Sequence, residues 1–328
     1  MVVILSQKEL KDIIDMKAAI TLVEKAFKMH SEGTAKMPSK VYLTFPKGDM
    51  RAMPAYLSEG PINTAGVKVV TVHPENPKSK LPTVIGTTLL IDPDTGIPVS
   101  LMDATYLTAL RTGAAGGVAI KYLAMPNSTI AAFVGAGIQA ETQLMALMEV
   151  MPSIKEIRVA DSNEINAKKF CEMIEKKHSV STKITSVEES VKGAQIVITT
   201  TPVRKHLVSK AMVSPGTHIN AIGADAQGKQ ELETSLIESS AVIADDWDQA
   251  SHSGELNVPV HHGKFTKEML RASLGDVVAG KAKGRKSKEE ITIFDSTGLA
   301  IQDMIVSDYV VKQVKKNISG YLTVNLLE

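Results

Sequence analysis

The first thirty residues carry apolar side chains at the three- and four-residue intervals typical of helices. Ser6 is followed three positions later by Glu9, which is the spacing of a capping box and predicts a helix that begins just after Ser6. A second helix is predicted from about Asp15 to about His30. The sequence therefore predicts two consecutive helices between Ser6 and about His30.

From Lys40 to about Pro98 the pattern changes to short β-type runs such as KVYLTF, GVKVVTV and TVIGTTLLI, separated by Gly, Pro and Asn. These runs predict the strands of an antiparallel or mixed sheet. The segment DPDTG, residues 92–96, has the composition of a turn and is predicted to close a hairpin.

Residues 116–295 show a third pattern, in which continuous apolar runs alternate with helical stretches. The runs are TIAAFVGAG, EIRVAD, QIVITTTP, THINAIGAD, AVIADDW and ITIFDS, and a helix is predicted after each of the first four. Strands that are buried on both faces lose the polar alternation of half-exposed strands. The pattern predicts an α/β fold, a doubly wound parallel sheet of the Rossmann type.

Beyond the last run, Leu299, Met304, Tyr309 and Val314 have helical spacing. Because this helix follows the parallel sheet, its apolar face has to be buried elsewhere, and we expect it to return to the N-terminal lobe. The predicted domains are a discontinuous α+β domain, residues 1–115 and 296–328, and a Rossmann-type domain, residues 116–295.

Composition excludes several classes of function. The chain has 328 residues, of which 44% are hydrophobic, enough for two domains. Its 37 basic and 36 acidic residues give a net charge of +1, which argues against a nucleic-acid partner. No apolar run approaches the roughly 20 residues that cross a bilayer, so no membrane association is expected. With one cysteine, Cys171, and no signal-peptide pattern, a cytoplasmic location is expected.

The clearest chemical motif is GAGIQA, which follows an apolar strand and opens a helix. In this context the motif is the fingerprint of a dinucleotide site, because the glycines let the backbone approach a pyrophosphate. A second strand ends at Asp161, whose carboxylate would accept hydrogen bonds from a ribose and repel a 2′-phosphate, which favours NAD over NADP. Thr200 and Thr201 end a later strand, and their hydroxyls are expected to line the same cofactor site. The predicted cofactor residues of the motif itself are Gly135, Gly137, Ile138, Gln139 and Ala140.

Four basic residues lie on otherwise apolar stretches of the first lobe: Lys40, Arg51, Lys68 and Arg111. Each alone could be a surface residue with a packed stem. Together they favour a pocket for a substrate carboxylate, because ammonium and guanidinium groups bind carboxylates through charge-assisted hydrogen bonds. Asp225 follows the end of a predicted strand and is interpreted either as a catalytic residue or as a helix cap. No metal site is expected, since adjacent His261 and His262 lack ligand spacing.

The segments KVYLTF, RAMPAY, GVKVVTVHPENP, DATYLTALRTGAAGG, GAGIQA, NAIGADAQGKQEL and FDSTGLAIQDM together resemble the ornithine cyclodeaminase and mu-crystallin family, and within it the archaeal-type alanine dehydrogenases. The resemblance covers nearly the whole chain. It implies a homodimer in which the discontinuous domain binds the substrate and makes the dimer contact, while the Rossmann domain binds NAD. Thr112 and Ser296, which lie in two of these motifs, join the predicted cofactor-binding residues.

By position, Lys40, Lys68 and Arg111 match the substrate-carboxylate groups of the family, and Asp225 matches its catalytic acid. Arg51 departs from ornithine cyclodeaminases, which have a glutamate at this place, and a cation there would repel the side chain of ornithine.

The expected function is reversible NAD-dependent oxidative deamination of L-alanine to pyruvate and ammonia, with Lys68 and Asp225 sharing the acid-base work. The alternatives are an ornithine cyclodeaminase, a reductase of cyclic imines such as pyrroline-2-carboxylate, and a cofactor-dependent binding protein like mu-crystallin.

Overall fold

The computed structural model describes residues 1–326 and divides into two units, Met1–Arg111 with the chain from Leu299 onward, and Thr112–Gly298. The strands in chain order are β1 (Val2–Leu5), β2 (Ala35–Lys36), β3 (Val41–Phe45), β4 (Gly48–Glu59), β5 (Ile62–Val72), β6 (Val84–Ile91), β7 (Pro98–Asp103), β8 (Ile130–Val134), β9 (Glu156–Ala160), β10 (Ser181–Ile184), β11 (Ile196–Thr199), β12 (His218–Ala221), β13 (Ala241–Ala244), β14 (Ala272–Ser273), β15 (Thr292–Asp295) and β16 (Leu322–Val324).

The helices in the same order are α1 (Gln7–Ile13), α2 (Met16–Glu32), α3 (Thr105–Leu123), α4 (Ile138–Val150), α5 (Glu164–Lys177), α6 (Val187–Val191), α7 (Thr234–Glu238), α8 (Trp247–Ser253), α9 (Asn257–His261), α10 (Leu274–Val278) and α11 (Ala300–Val314). Among the helices of residues 1–326, none combines the length and apolar character that a bilayer crossing requires.

The first unit is built on one mixed sheet in the order β16-β1-β7-β6-β5-β4-β2, with β3 also paired to β4. Strands β1 and β7 are parallel, and the other neighbouring strands of this sheet are antiparallel. The sheet agrees with the antiparallel or mixed sheet predicted from residues 40–98. The predicted hairpin at residues 92–96 joins β6 to β7. Helix α11 packs against α2 and against β4 and β5, so the inner face of the sheet is covered by apolar helices.

The two N-terminal helices begin where their capping residues predict. The Ser6 hydroxyl accepts from Glu9 N, and the Glu9 carboxylate accepts from Ser6 N at 2.8 Å, so the predicted capping box is confirmed. The Asp15 carboxylate accepts from Ala18 N at 2.8 Å and caps α2, confirming the predicted second helix.

The second unit contains a parallel sheet in the order β10-β9-β8-β11-β12-β15-β13-β14, which confirms the predicted α/β doubly wound fold. Alternate residues of β8 face two separate cores: Ala131 and Phe133 lie in one, and Ala132 and Val134 in the other. This two-sided burial is why the strand is continuously apolar. Strand β8 lies between β9 and β11, and the order in which the chain adds strands to the sheet reverses there. A ligand crevice is expected at such a reversal, at the carboxyl ends of β8 and β11.

Three features of this unit differ from the prediction. Helices α8, α9 and α10 lie between β13 and β15, where no helix was predicted. The helix expected between β11 and β12 is absent from the described residues there, which hold only a 3-10 turn at Lys210–Met212; Pro202, Pro215 and Gly216 interrupt the segment. Strands β10 and β14 were not predicted, because both lie at sheet edges and neither is a buried apolar run.

Candidate active site

The glycine turn lies directly after β8. Gly135 has φ +101°, and a Cβ at this position would lie 2.8 Å from Thr200 Oγ1, so only glycine fits without strain. Gly137 is the N-cap of α4, and a Cβ there would meet no heavy atom within 4 Å. The first turn of α4 is therefore open to an approaching anion, which the N-H groups at a helix N-terminus favour.

A cavity of about 690 Å³ lies elsewhere in this unit, but the one at the glycine turn, about 640 Å³, fits the expected crevice. The predicted cofactor residues among those that line it are Gly135, Gly137, Asp161, Thr200 and Thr201. A volume of several hundred Å³ is typical of small-molecule sites.

The remaining predicted cofactor residues lie outside the lining of this cavity. Ile138 is exposed and lines a smaller neighbouring cavity, whereas Ala140 is fully buried in the core. Thr112 accepts a hydrogen bond from Gln143 through its backbone carbonyl. The remaining pair, Gln139 and Ser296, each bury a side-chain oxygen that has no hydrogen-bond partner within residues 1–326.

Asp161 ties the end of β9 to the glycine turn. Its Oδ2 accepts from Ala136 N at 2.7 Å, and its Oδ1 accepts from Asn163 N at 2.7 Å. A carboxylate has about four acceptor sites, so these two bonds orient the group and leave acceptor capacity towards the cavity.

Sequence reasoning missed a buried carboxylate behind the two threonines. Glu231 Oε2 accepts from Thr199 Oγ1 and from Gly223 N, both at 2.7 Å, and Oε1 accepts from Thr201 N at 2.6 Å and Thr201 Oγ1 at 2.7 Å. Burial raises the pKa of Glu231. Because this carboxylate bonds to β11 and to the segments that follow β11 and β12, it fixes Thr201 at the edge of the cavity.

Three more buried acids continue the pattern. Glu255 accepts from Glu231 N at 2.9 Å and from Leu232 N at 2.6 Å; burial and the neighbouring Glu231 raise its pKa well above the usual value. Asp295, at the end of β15, accepts from Glu255 N at 2.9 Å, and Asp245 accepts from Gly298 N at 2.8 Å. Each carboxylate thus satisfies backbone N-H groups of a neighbouring segment. A signal was available for Asp245 and Asp295, which each end an apolar run, whereas no pattern in the sequence marks Glu255.

Asp225 lies in the segment after β12, with its side chain 31% exposed. Lys229 Nζ is 2.5 Å from Asp225 Oδ1. The first helix after it, α7, has Glu233 and not Asp225 at its N-cap position. The alternative of a helix cap is therefore wrong, while a catalytic role stays a prediction.

In the first unit, Lys68 of β5, Arg111 of α3 and Asp303 of α11 form one buried cluster. Lys68 Nζ lies 2.9 Å from Asp303 Oδ1 and 2.8 Å from Oδ2, and Arg111 Nε donates to Asp303 Oδ1 at 3.0 Å. Arg111 Nη1 also donates to Gln302 Oε1 at 3.1 Å. One carboxylate therefore serves two cations, and the cluster retains a positive charge when Lys68 is protonated.

The pKa of Lys68 is lowered from 10.5 to about 7. Burial is the largest cause, because the side chain is 0% exposed, and the positive charges of Arg111 and Lys40 act in the same direction. The charge of Asp303 and its hydrogen bond to the ammonium oppose the shift. Lys68 can consequently exchange a proton near neutral pH, which an ordinary lysine cannot do.

Arg51 is buried and held by two neighbours. Its Nε donates to Asp49 Oδ1 at 2.8 Å, and its guanidinium lies 5.4 Å from the centre of the Tyr42 ring. In the register of β4 and β5, Arg51 is opposite Val70, two residues from Lys68 and on the same buried face. The alternative of surface residues with packed stems is therefore excluded for Arg51, Lys68 and Arg111. Lys40 is only half-buried.

The sequence model of the ornithine cyclodeaminase/mu-crystallin family matches residues 1–318. The chain belongs to this family. The relationship predicted from the motifs is thereby confirmed over nearly all of the chain.

Three comparisons extend this result. The chain is 48% identical over 318 residues, 97% of each sequence, to the alanine dehydrogenase of Archaeoglobus fulgidus. An archaeal alanine dehydrogenase dimer with bound NAD superposes with a TM-score of 0.95 at 46% identity, covering 99% of both chains. The Δ1-pyrroline-2-carboxylate reductase of Thermococcus litoralis, solved with NADH and L-proline, has a TM-score of 0.93 at 37% identity, covering 98% of this chain and 100% of that one. These relatives are NAD-linked oxidoreductases.

Proposed function

We propose that the protein catalyses the reversible NAD-dependent oxidative deamination of L-alanine to pyruvate and ammonia. The observation that carries the proposal is the buried cluster of Lys68, Arg111 and Asp303, in which a cation for the substrate carboxylate stands beside a lysine with a pKa of about 7. The 48% identity to an alanine dehydrogenase supports the same substrate.

NAD is the cofactor, as in the related structures solved with NAD or NADH. The residues present fit this group: the first turn of α4 is open, and the buried oxygens of Gln139 and Ser296 lack partners within residues 1–326. We propose that the Thr112–Gly298 unit binds NAD through the cavity of the glycine turn, with Asp161 on the adenosine ribose. The other unit would bind the amino acid. When bound, NAD accepts a hydride from the substrate Cα.

The protein residues supply binding and proton transfer. Arg111, Lys40 and Arg51 hold the carboxylate, which fixes the orientation of Cα. Neutral Lys68 accepts a proton from the alanine ammonium group, because Cα can lose a hydride only when the lone pair of the free amine forms the C=N bond of the iminium. Asp225 then orients the water that attacks the iminium carbon and stabilises its positive charge. Loss of ammonia from the adduct gives pyruvate.

Arg51 supports a short, neutral substrate side chain. Two unit charges 4 Å apart interact by about 4 kcal/mol at an effective dielectric constant of 20. Asp49 offsets part of the charge of Arg51. Even half of the interaction would disfavour the second ammonium group of ornithine more than tenfold, since about 1.4 kcal/mol is a factor of ten.

The second candidate is reduction of a cyclic imine, which the 37% identity to the pyrroline-2-carboxylate reductase favours. Absorbance of NADH separates the candidates. We expect NADH to form from L-alanine and NAD, and to be consumed with pyruvate and ammonia. Faster NADH consumption with pyrroline-2-carboxylate than any turnover of alanine would contradict the proposal. Conversion of ornithine to proline without net NADH would indicate a cyclodeaminase, and tight nicotinamide binding without turnover would indicate a binding protein.

We further propose that the protein is a homodimer, as the archaeal alanine dehydrogenase is. One side of β3 exposes three apolar side chains at alternate positions: Val41 is 62% exposed, Leu43 51% and Phe45 37%. A second copy would cover this row. Light scattering coupled to size-exclusion chromatography should give twice the monomer mass of 35.2 kDa, and Leu43→Lys should shift the protein to monomers. A monomeric wild-type protein would contradict this assignment.

A further inference from the structure

Asp303 is the least expected member of the buried cluster. Its side chain is 2% exposed and lies on α11, whereas its two cationic partners lie on β5 and α3. A buried carboxylate needs compensating partners: its Oδ1 accepts from Lys68 and Arg111, and its Oδ2 lies 2.8 Å from Lys68 Nζ but accepts no hydrogen bond within residues 1–326. The three groups therefore depend on one another for position and for charge.

The charged groups that act on Lys68 come from three elements. Arg111 on α3 and Lys40 before β3 both favour its neutral form. Asp303 on α11 is the charged group that opposes them, by charge and by hydrogen bonding. The protonation of Lys68 is consequently a balance in which Asp303 is the stabilising partner of the ammonium form.

We propose that Asp303 is a positioning residue of the reaction: it holds the Lys68 ammonium and the Arg111 guanidinium side by side and thereby determines the pH at which Lys68 gives up its proton. The inference rests on the proposed role of Lys68 as the proton acceptor for the substrate amine. It assigns to α11 a part in the chemistry besides covering the sheet.

The Asp303→Asn variant tests this assignment. The amide keeps the size of the side chain and an acceptor for Lys68 and Arg111, but it removes the negative charge. Without this charge the ammonium form loses its partner. The limb of the pH profile, which is the rise in kcat/KM near pH 7 set by deprotonation of Lys68, should therefore move to lower pH by about one unit or more, a tenfold change in the proton equilibrium. The KM for L-alanine should rise, because a neutral amide orients Arg111 less firmly than a carboxylate does, while the KM for NAD should stay unchanged.

Asp308→Asn is the matched control, because Asp308 lies on the same helix and its carboxylate pairs with Lys312 at 2.6 Å. The control should leave the limb in place. A purely structural role of Asp303 would lower the melting temperature and kcat without moving the limb. A limb that stays within about 0.3 pH unit of the wild-type position in a folded Asp303→Asn enzyme would overturn the proposal.

If Asp303→Asn does not fold, Asp303→Ser takes its place with the same readouts, since serine is smaller and carries no charge. The profile is measured with whichever amino or imino acid the wild-type enzyme turns over. In the reductive direction Lys68 acts as the acid, and its limb should also move to lower pH. Failure of the alanine proposal thus shows in the substrates that the wild-type enzyme turns over, whereas failure of the Asp303 proposal shows in a limb that does not move.

Discussion

Replacing Lys68 by arginine separates the two properties assigned to this residue, positive charge and proton exchange. With a pKa of about 7, roughly nine-tenths of the Lys68 side chains are neutral at pH 8, against about 0.3% for a lysine with the ordinary value of 10.5. The buried site thus increases the concentration of the base about 300-fold. Arginine keeps the charge but cannot be deprotonated in this range.

We expect Lys68→Arg to lower kcat by about 100- to 10,000-fold, the usual contribution of general acid-base catalysis. The limb near pH 7 should vanish, and the KM for L-alanine should stay within about tenfold because Lys40, Arg51 and Arg111 still hold the carboxylate. The assay is NADH formation at 340 nm between about pH 6 and 10.

Lys17→Arg, an exposed substitution on α2 of the same unit, is the matched control and should behave as the wild type. NAD titration and a melting curve establish that Lys68→Arg is folded. If the folded variant keeps kcat within tenfold of the wild type, or keeps its limb near pH 7, Lys68 is not the base. Asp225 would then be the next candidate for that role.

Three other substitutions address the remaining parts of the site. Asp225→Asn removes the partner of Lys229 and should lower turnover at least about 100-fold with intact NAD binding; activity within tenfold of wild type would refute the role. Gly135→Ala places a Cβ 2.8 Å from Thr200 Oγ1 at a positive φ and should weaken NAD binding at least about tenfold in a fluorescence titration; unchanged affinity would count against the glycine turn as the cofactor site. Arg51→Met should raise the KM for L-alanine and reduce the discrimination against L-ornithine at least about tenfold, measured as the ratio of kcat/KM values; an unchanged ratio would exclude charge repulsion as its basis.

The features that could be predicted from the sequence are those with local causes. Ser6 and Asp15 cap their helices through residues three positions away, and β8 is continuously apolar because both of its faces are buried. The Rossmann-type fold and the family followed from such segments, and both are confirmed. The helix expected between β11 and β12 is absent for a local reason too, because Pro202 and Pro215 interrupt the segment.

The missed residues depend on distant partners. Asp303 bonds to Lys68 across 235 positions, and its place on α11 fits helical spacing without any sign of an ion pair. Glu231 and Glu255 satisfy backbone N-H groups of loops that no periodicity connects. Which acids are buried is decided only when the segments after the strands come together. The roles of Lys40, Arg51 and Asp225 stay predictions, because charge and burial alone do not assign a chemical step.

The position of Asp303 on α11 also has a consequence for biosynthesis. Arg111 and its carboxylate partner are 192 residues apart. At a translation rate of about 5–20 residues per second, the ribosome needs roughly 10–40 s to reach Asp303 after it has made Arg111. The cations of β5 and α3 have no anion from α11 during this interval, whereas Thr112–Gly298 emerges as one uninterrupted stretch. The parallel sheet of this stretch can therefore fold first, and the cluster of Lys68, Arg111 and Asp303 is completed last.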